Sequence, residues 1–266
     1  MSTAPGESRP GEVDPHRLHD GDLALHGRVM PASNATFVGE VDGVRVVYKP
    51  VAGERPLWDF PDGTLADREV AAYRVSVSLG WNVVPLTILR DGPHGPGMVQ
   101  VWQEPDPEQA AVDIVDVDSR PAGYLHVFEG LDARDRPVAL VHEDSAPLRR
   151  MAIFDMVVNN ADRKGGHVLA MPGGHRYGVD HGVTFHVEDK LRTVLWGWAG
   201  TRVPAGDLAV VESLLGSLQG ELGAELGELI TPDELAALTR RCRRLLSTQR
   251  MAVPQDGWPT IPWPPF

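Results

Sequence analysis

One stretch constrains the chain more than any other: residues 152–185, AIFDMVVNNADRKGGHVLAMPGGHRYGVDHGVTF. It opens with apolar residues at helical spacing, Ile153, Phe154, Val157 and Val158, and passes abruptly into polar and glycine residues from Asn159 to His167. A strand-like segment at 168–171, a Pro172-Gly173-Gly174 turn and a second strand-like run ending at Asp180 follow. The order is therefore helix, polar loop, hairpin. Paired strands bring their ends together, so Asp162 and Asp180, one at each end of the hairpin, are expected to face one pocket. Two acids converging beside Arg163, Lys164 and His167 point to metal-dependent chemistry on an anionic substrate.

This order resembles the catalytic core of the protein-kinase-like superfamily, most closely the atypical branch of phosphatidylinositol 3/4-kinases and HipA-type kinases. Kinases place a catalytic Asp in a loop, a metal-binding Asn five residues later, and a metal-binding Asp followed by x-Gly after the next hairpin. Here Asp162 is followed five positions on by His167, and Asp180-His181-Gly182 stands thirteen residues after His167. The segment Asn160-Ala161-Asp162-Arg163-Lys164 is similar to the Asp-Arg-His signature of the lipid-kinase branch, with Lys164 in the histidine's place. The resemblance implies an α+β, two-lobed protein-kinase-like fold with an antiparallel-sheet N-lobe and a mainly helical C-lobe. It implies ATP as cofactor together with Mg²⁺ or Mn²⁺. In its terms Asp162 and Lys164 are catalytic, whereas His167 and Asp180 are metal ligands.

The length of 266 residues suits one domain of two lobes, or two small domains. With 37 acidic against 25 basic residues, a formal charge of -12 argues against nucleic acid or an anionic membrane surface as partner. A single cysteine, Cys242, makes no internal disulfide, and no apolar run approaches a membrane span. A cytoplasmic protein without stable membrane insertion is expected. Residues 1–20, rich in Pro, Gly, Ser and charge, read as a mobile tail, and residues 21–104 as the N-lobe. The C-lobe is expected over 105–252, and a Pro/Trp-rich tail over 253–266.

Between residues 23 and 50 the apolar period is two, with Asp42-Gly43 separating two runs, a strong hairpin signal. Upstream, Pro31-Ala32-Ser33-Asn34-Ala35-Thr36 is a polar turn that fits a phosphate loop, with Ser33 or Thr36 as ligands, or an ordinary turn. Lys49 ends a strand and matches the lysine that in kinases holds the α and β phosphates. Residues 65–79 read as a helix with an apolar stripe at Leu65, Val70, Tyr73 and Val77 and a Gly80 cap. By resemblance, Glu69 on that helix is the counter-ion of Lys49. Strands at 83–89 and 98–103, separated by a loop at 91–97, complete five strands. By resemblance again, the exit at Val101, Trp102 and Gln103 is the hinge that holds adenine; Trp102 equally suits a core position.

Residues 105–144 show no sustained period, although Asp113, Asp116 and Asp118 alternate with Val and Ile as a strand edge would. A helix capped near Ser145 leads to the polar loop and turns Asp155 inward. Two helices are expected near 207–222 and 232–249, with Arg240, Arg241, Arg243 and Arg244 forming a solvated face of the second or a docking patch for an acidic partner. The reaction expected is transfer of the γ-phosphoryl of ATP to a hydroxyl of a protein or small polar molecule. Imidazole at position 167 suits Mn²⁺ better than Mg²⁺, so a one-metal Mg²⁺ kinase, a Mn²⁺-preferring kinase and a nucleotide-gated binding module all stay open. A rival from another class is a metal-dependent hydrolase built on Asp162, His167, His175, Asp180, His181 and His186.

Overall fold

The computed structural model describes residues 13–29, 34–61, 64–255 and 259–266. The chain forms two compact units, one from residues 1–55 and 86–102, the other from residues 56–85 and 103–266.

The first unit is an antiparallel sheet. Its strands are β1 (Leu23–Arg28), β2 (Phe37–Val41), β3 (Val44–Pro50), β4 (Thr87–Gly92) and β5 (Gly95–Val101), in the order β1-β2-β3-β5-β4. The Asp42-Gly43 turn forms as its sequence requires: both residues have positive φ, which matches the twist of the strands it joins. β4 and β5 close more tightly than expected, because Gly92 pairs with Gly95 and most of the stretch read as a loop is strand. Tyr48, Val46, Val41 and Val99 make the core of this sheet. Within the stretch read as a tail, α1 (Pro15–Asp20) is a short helix whose Leu18 is buried in the same core. Alternation thus delivered the sheet, and one leucine anchored the segment before it.

The second unit is mainly helical. The helix α2 (Leu65–Leu79) starts at Thr64, whose Oγ1 accepts the Asp67 N–H, and ends at Gly80 with φ +64°. Its buried face carries Ala71, Ala72, Val75 and Leu79, while Val77, expected in the apolar stripe, is exposed. Alanines pack closely and shift the buried arc away from the larger residues. The region without period, 105–144, is an antiparallel sheet of β6 (Val112–Asp116), β7 (Tyr124–Leu131) and β8 (Pro137–Glu143), with β6 at an edge. β7 hides too little to show a period, β8 is a continuous buried run, and only β6 alternates.

The helix α3 (Ala146–Val158) is the core of this unit, with Leu148, Met151, Ile153, Phe154, Val157 and Val158 all buried. After the short hairpin of β9 (Val168–Ala170) and β10 (Arg176–Gly178) come α4 (Ala205–Ser217), α5 (Glu221–Gly227) and α6 (Pro232–Thr248). The first expected helix therefore breaks into two near Gly220, where glycine ends helices cheaply. Thr231 and Glu234 form a reciprocal capping box at the start of α6. Arg241, expected on a solvated face, is instead buried: Nε donates to the Val157 carbonyl and Nη1 to that of His186. Cys242 is buried beside it, and burial pushes its thiol pKa up to about 12, so it packs as an inert apolar group. Among the described residues no helix is long and apolar enough to cross a membrane.

Candidate active site

The helix α3 ends at Asn159, in the left-handed region with φ +55°, which turns the chain out of the helix. Asn159 then fastens a distant segment: Nδ2 donates to the His186 and Glu188 carbonyls, and Oδ1 accepts the Lys190 N–H. Asn160 does the local work. Its Nδ2 donates to Asp155 Oδ1 at 3.0 Å and its Oδ1 accepts the Asp162 N–H at 3.0 Å. The main chain at Asp162 is thus tied through one amide to a carboxylate inside α3.

Beneath the loop lies an ion pair in which both side chains are 0% exposed. Arg163 Nη2 donates to Asp155 Oδ1 at 2.8 Å and Nε to Oδ2 at 2.9 Å. The same guanidinium gives Nη1 to the carbonyls of His167 and Val179, and places Nη2 2.7 Å from His181 Nε2. One arginine therefore joins the helix, the loop, and the residues on both sides of Asp180. The inward placement of Asp155 agrees with expectation. The role of Arg163 has no periodic signal, since it depends on a pairing eight residues away across a turn.

Above this base the four residues named in the polar loop and after the hairpin come together. Lys164 Nζ is 3.2 Å from Asp162 Oδ2, and His167 Nε2 is 3.4 Å from Asp180 Oδ2. His167 Nδ1 is 3.0 Å from the Asp162 carbonyl. A carbonyl only accepts, so Nδ1 carries the hydrogen. Burial pushes the His167 pKa down, against the upward pull of Asp180, so the ring is neutral at pH 7. The Nε2 lone pair consequently faces a carboxylate oxygen, an arrangement that a shared cation stabilises. Asp180 itself adopts φ +61°, uncommon for a residue other than glycine and found where geometry outweighs strain.

This donor set fits a metal only in part. Among the described residues no three His, Cys, Asp or Glu side chains cluster as a cation site. His167 and Asp180 supply two ligands, which suits a cation completed by substrate phosphates and water, as Mg²⁺ sites commonly are. The hydrolase alternative fares worse. His181 Nε2 is engaged by the Arg163 guanidinium, His175 bonds the Asn82 carbonyl, and His186 packs edge-on to Phe60 at 5.2 Å. Three of its six expected ligands are thus engaged away from Asp162, His167 and Asp180.

The remaining expected residues lie as follows. Glu69 is buried on α2 in the second unit, where Oε2 accepts the His181 N–H at 2.8 Å. In the first unit Lys49 pairs with Met98 in the β3–β5 ladder, and Thr36 Oγ1 donates to the Asn34 carbonyl. Val101 pairs with Val46, and Trp102, half-buried, lies under the Arg45 guanidinium at 4.9 Å. The chain leaves the first unit at Trp102, and Gln103 opens the return to the second. Ser33 lies outside the described residues.

Residues 259–266 close the loop from another side. Gly165 N–H donates to the Pro265 carbonyl at 2.7 Å, and a Cβ on Gly165 would come within 2.3 Å of the Phe266 ring. Thr260 accepts from both the Thr193 N–H and the Trp196 indole. The tail packs back on the unit, and position 165 is glycine, small enough that it can.

No family model matches this chain. It is 49% identical over 262 residues to Protein Rv2133c of Mycobacterium tuberculosis, covering 94% of each chain. Among solved structures it is similar to the Golgi casein kinase, with a TM-score of 0.50, 15% identity, and 88% of this chain and 72% of that one covered. It also aligns with the Helicobacter pylori proinflammatory kinase CtkA at a TM-score of 0.46 and 9% identity, covering 88% and 94%. The likeness to the Golgi enzyme shows the fold: α+β and kinase-like, as the resemblance implied.

Proposed function

We propose, for a chain that belongs to the same family as Mycobacterium tuberculosis Rv2133c and has a kinase-like fold, that it is an ATP-dependent phosphotransferase. It moves the γ-phosphoryl of ATP to a hydroxyl of a protein or small polar molecule in the cytoplasm. The Asn160–Lys164 and Asp180–Gly182 segments favour the atypical branch with the phosphatidylinositol 3/4-kinases and HipA-type kinases. The observation that carries the reading is the pairing of the His167 lone pair with Asp180 above a loop whose only lysine sits on Asp162.

Phosphoryl transfer asks a protein for positioning and charge neutralisation rather than covalent chemistry. Asp162 orients the acceptor hydroxyl and takes its proton. Its carboxylate is half-exposed, so an acceptor can reach it, while Asn160 and Asp155 hold its main chain. Lys164 offsets negative charge on the transferred group. His167 and Asp180 would hold Mg²⁺ or Mn²⁺, which supplies neutralisation of the phosphate oxygens. In the first unit, Lys49 and the turn containing Ser33 and Thr36 are assigned to the phosphates, and Val101, Trp102 and Gln103 to the adenine. Glu69 fixes the segment after Asp180 through His181 and is the proposed partner of Lys49. An imidazole ligand favours the softer ion, so Mn²⁺ is expected to support nucleotide binding at least as well as Mg²⁺.

The test is mass spectrometry of the protein after incubation with ATP and Mn²⁺, alone and with candidate acceptors. Phosphoryl incorporation by the wild type and none by Asp162→Ala supports transfer. Absence of both incorporation and ATP turnover in the wild type overturns it. A second reading, a nucleotide-gated binding module, draws on His167 standing where kinases carry asparagine. Calorimetric ATP binding that Asp180→Ala abolishes, without any transfer, would select it.

A further inference from the structure

Residues 259–266 read PTIPWPPF, and four prolines among eight residues fix φ and remove N–H donors, so the run is stiff and offers its carbonyls to other segments. Ile261 packs on the core around α3, and Pro262 and Pro265 are buried. Two carbonyls of this tail reach the catalytic loop from either side of Lys164. That of Thr260 accepts the Thr193 N–H at 3.0 Å, and Thr193 is bridged in parallel to Arg163. That of Pro265 accepts the Gly165 N–H at 2.7 Å.

Lys164 is extended, with φ −93° and ψ 163°, and its side chain does not cap the 3-10 turn Gly165–His167 that follows. The first N–H of that turn depends instead on the Pro265 carbonyl. Phe266 completes the contact: Gly165 is buried, and a Cβ there would come within 2.3 Å of the ring, so the ring lies directly on the loop backbone. With the tail in place Asp162 still exposes 31% of its side chain and Lys164 23%. The tail therefore backs the loop without covering the carboxylate.

We propose that Phe266 is a positioning residue for phosphoryl transfer. With the Pro265 carbonyl it fixes Gly165, and so sets the Lys164 ammonium 3.2 Å from Asp162. The inference rests on the assignment of Asp162 and Lys164 to that reaction. A lysine stem is flexible and keeps one geometry only where its backbone is held. Displacing a reacting group by about 1 Å costs up to about a hundredfold in rate, which makes a support behind the loop a determinant of turnover.

The chain has three lysines, Lys49, Lys164 and Lys190, so NMR of the full chain labelled with ¹³C at lysine Cε gives three signals, that of Lys164 assigned by its loss in Lys164→Arg. In nucleotide-free Phe266→Ala the Lys164 signal is expected to move to the position of free lysine while the other two stay. In the same variant kcat per folded chain is expected to fall about tenfold or more, with ATP affinity within about twofold of wild type. Phe266→Leu refills the contact and is expected to keep the Lys164 signal and most of kcat. Gly165→Ala, whose Cβ displaces the ring, should lower kcat likewise, and it carries the test should Phe266→Ala not fold. Combining the two should lower kcat no further than either alone, since one contact is lost in each case. An unmoved Lys164 signal, an unchanged kcat, or losses that multiply in the double variant overturns the proposal. A wild type without transfer sinks the phosphotransfer reading instead, and the lysine signal, recorded without nucleotide, then decides whether the tail sets Lys164 against Asp162.

Discussion

Replacing Asp155 with alanine isolates the force that holds the catalytic loop. Its two oxygens accept three hydrogen bonds, two from Arg163 and one from Asn160, and both charged partners are fully buried. Removing one member of a buried ion pair costs about 3–5 kcal/mol, because the other charge stays buried without compensation. Arg163 would keep the His167 and Val179 carbonyls and the His181 ring. Those neutral partners place the expected loss near the lower end, about 3 kcal/mol, roughly two decades in the folding equilibrium. Urea unfolding followed by tryptophan fluorescence measures it, with the transition of the second unit fitted separately because two compact units need not unfold together. Arg163→Met alone and combined with Asp155→Ala completes the cycle, and the coupling should be at least about 2 kcal/mol, with the double variant more stable than Asp155→Ala. Transfer activity should fall as well, since Asn160 loses the acid that orients it. A loss under about 1 kcal/mol, or strictly additive variants, would refute the argument that this pair sustains the loop.

Three further outcomes are expected. Gly97→Ala would set a Cβ 2.4 Å from the Lys49 carbonyl, forcing β3 and β5 apart where Lys49 sits; about 1–3 kcal/mol of stability and a measurable part of ATP affinity should be lost together. His142 donates through Nδ1 to the Glu143 carbonyl and accepts the Gly197 N–H at Nε2, so the fold needs it neutral, and burial lowers its pKa from 6.5. The unfolded chain therefore binds the proton first: stability is full above about pH 6.5 and falls below it, by up to about 1.4 kcal/mol per pH unit for this group. His142→Gln should remove one proton from that slope in denaturation series, and equal slopes would contradict the assignment. His167→Asn should shift the ratio of Mn²⁺- to Mg²⁺-supported nucleotide binding toward Mg²⁺ in calorimetry, because an amide oxygen replaces imidazole nitrogen.

Local patterns were readable wherever one residue's neighbours in sequence are its neighbours in space. The Asp42-Gly43 hairpin, the Gly80 cap and the Ser145 start of α3 all follow from side chains within four residues. The edge position of β6 showed in its alternating acids, whereas β7 was hidden because it buries too little to impose a period. Arg241 misled because a cluster of arginines on a helix end usually meets water; two carbonyls from elsewhere in the unit reward its burial. The aromatic content of the tail also suggested that it packs back on the domain, but not where, because its contact with Gly165 joins residues a hundred positions apart.

From its residues alone this chain was bound to be a sheet-forming segment followed by a helix, a polar loop and a hairpin with an acid at each end, because periodicity, caps and turn chemistry act over a few positions. Only the tertiary structure could decide that Arg163 lies buried under that loop, that Asn160 hands the order of Asp155 on to Asp162, and that the lone pair of His167 meets Asp180. Those relations depend on the desolvation of charges and the direction of hydrogen bonds between segments far apart in the chain, and neither exists until the core around α3 has closed.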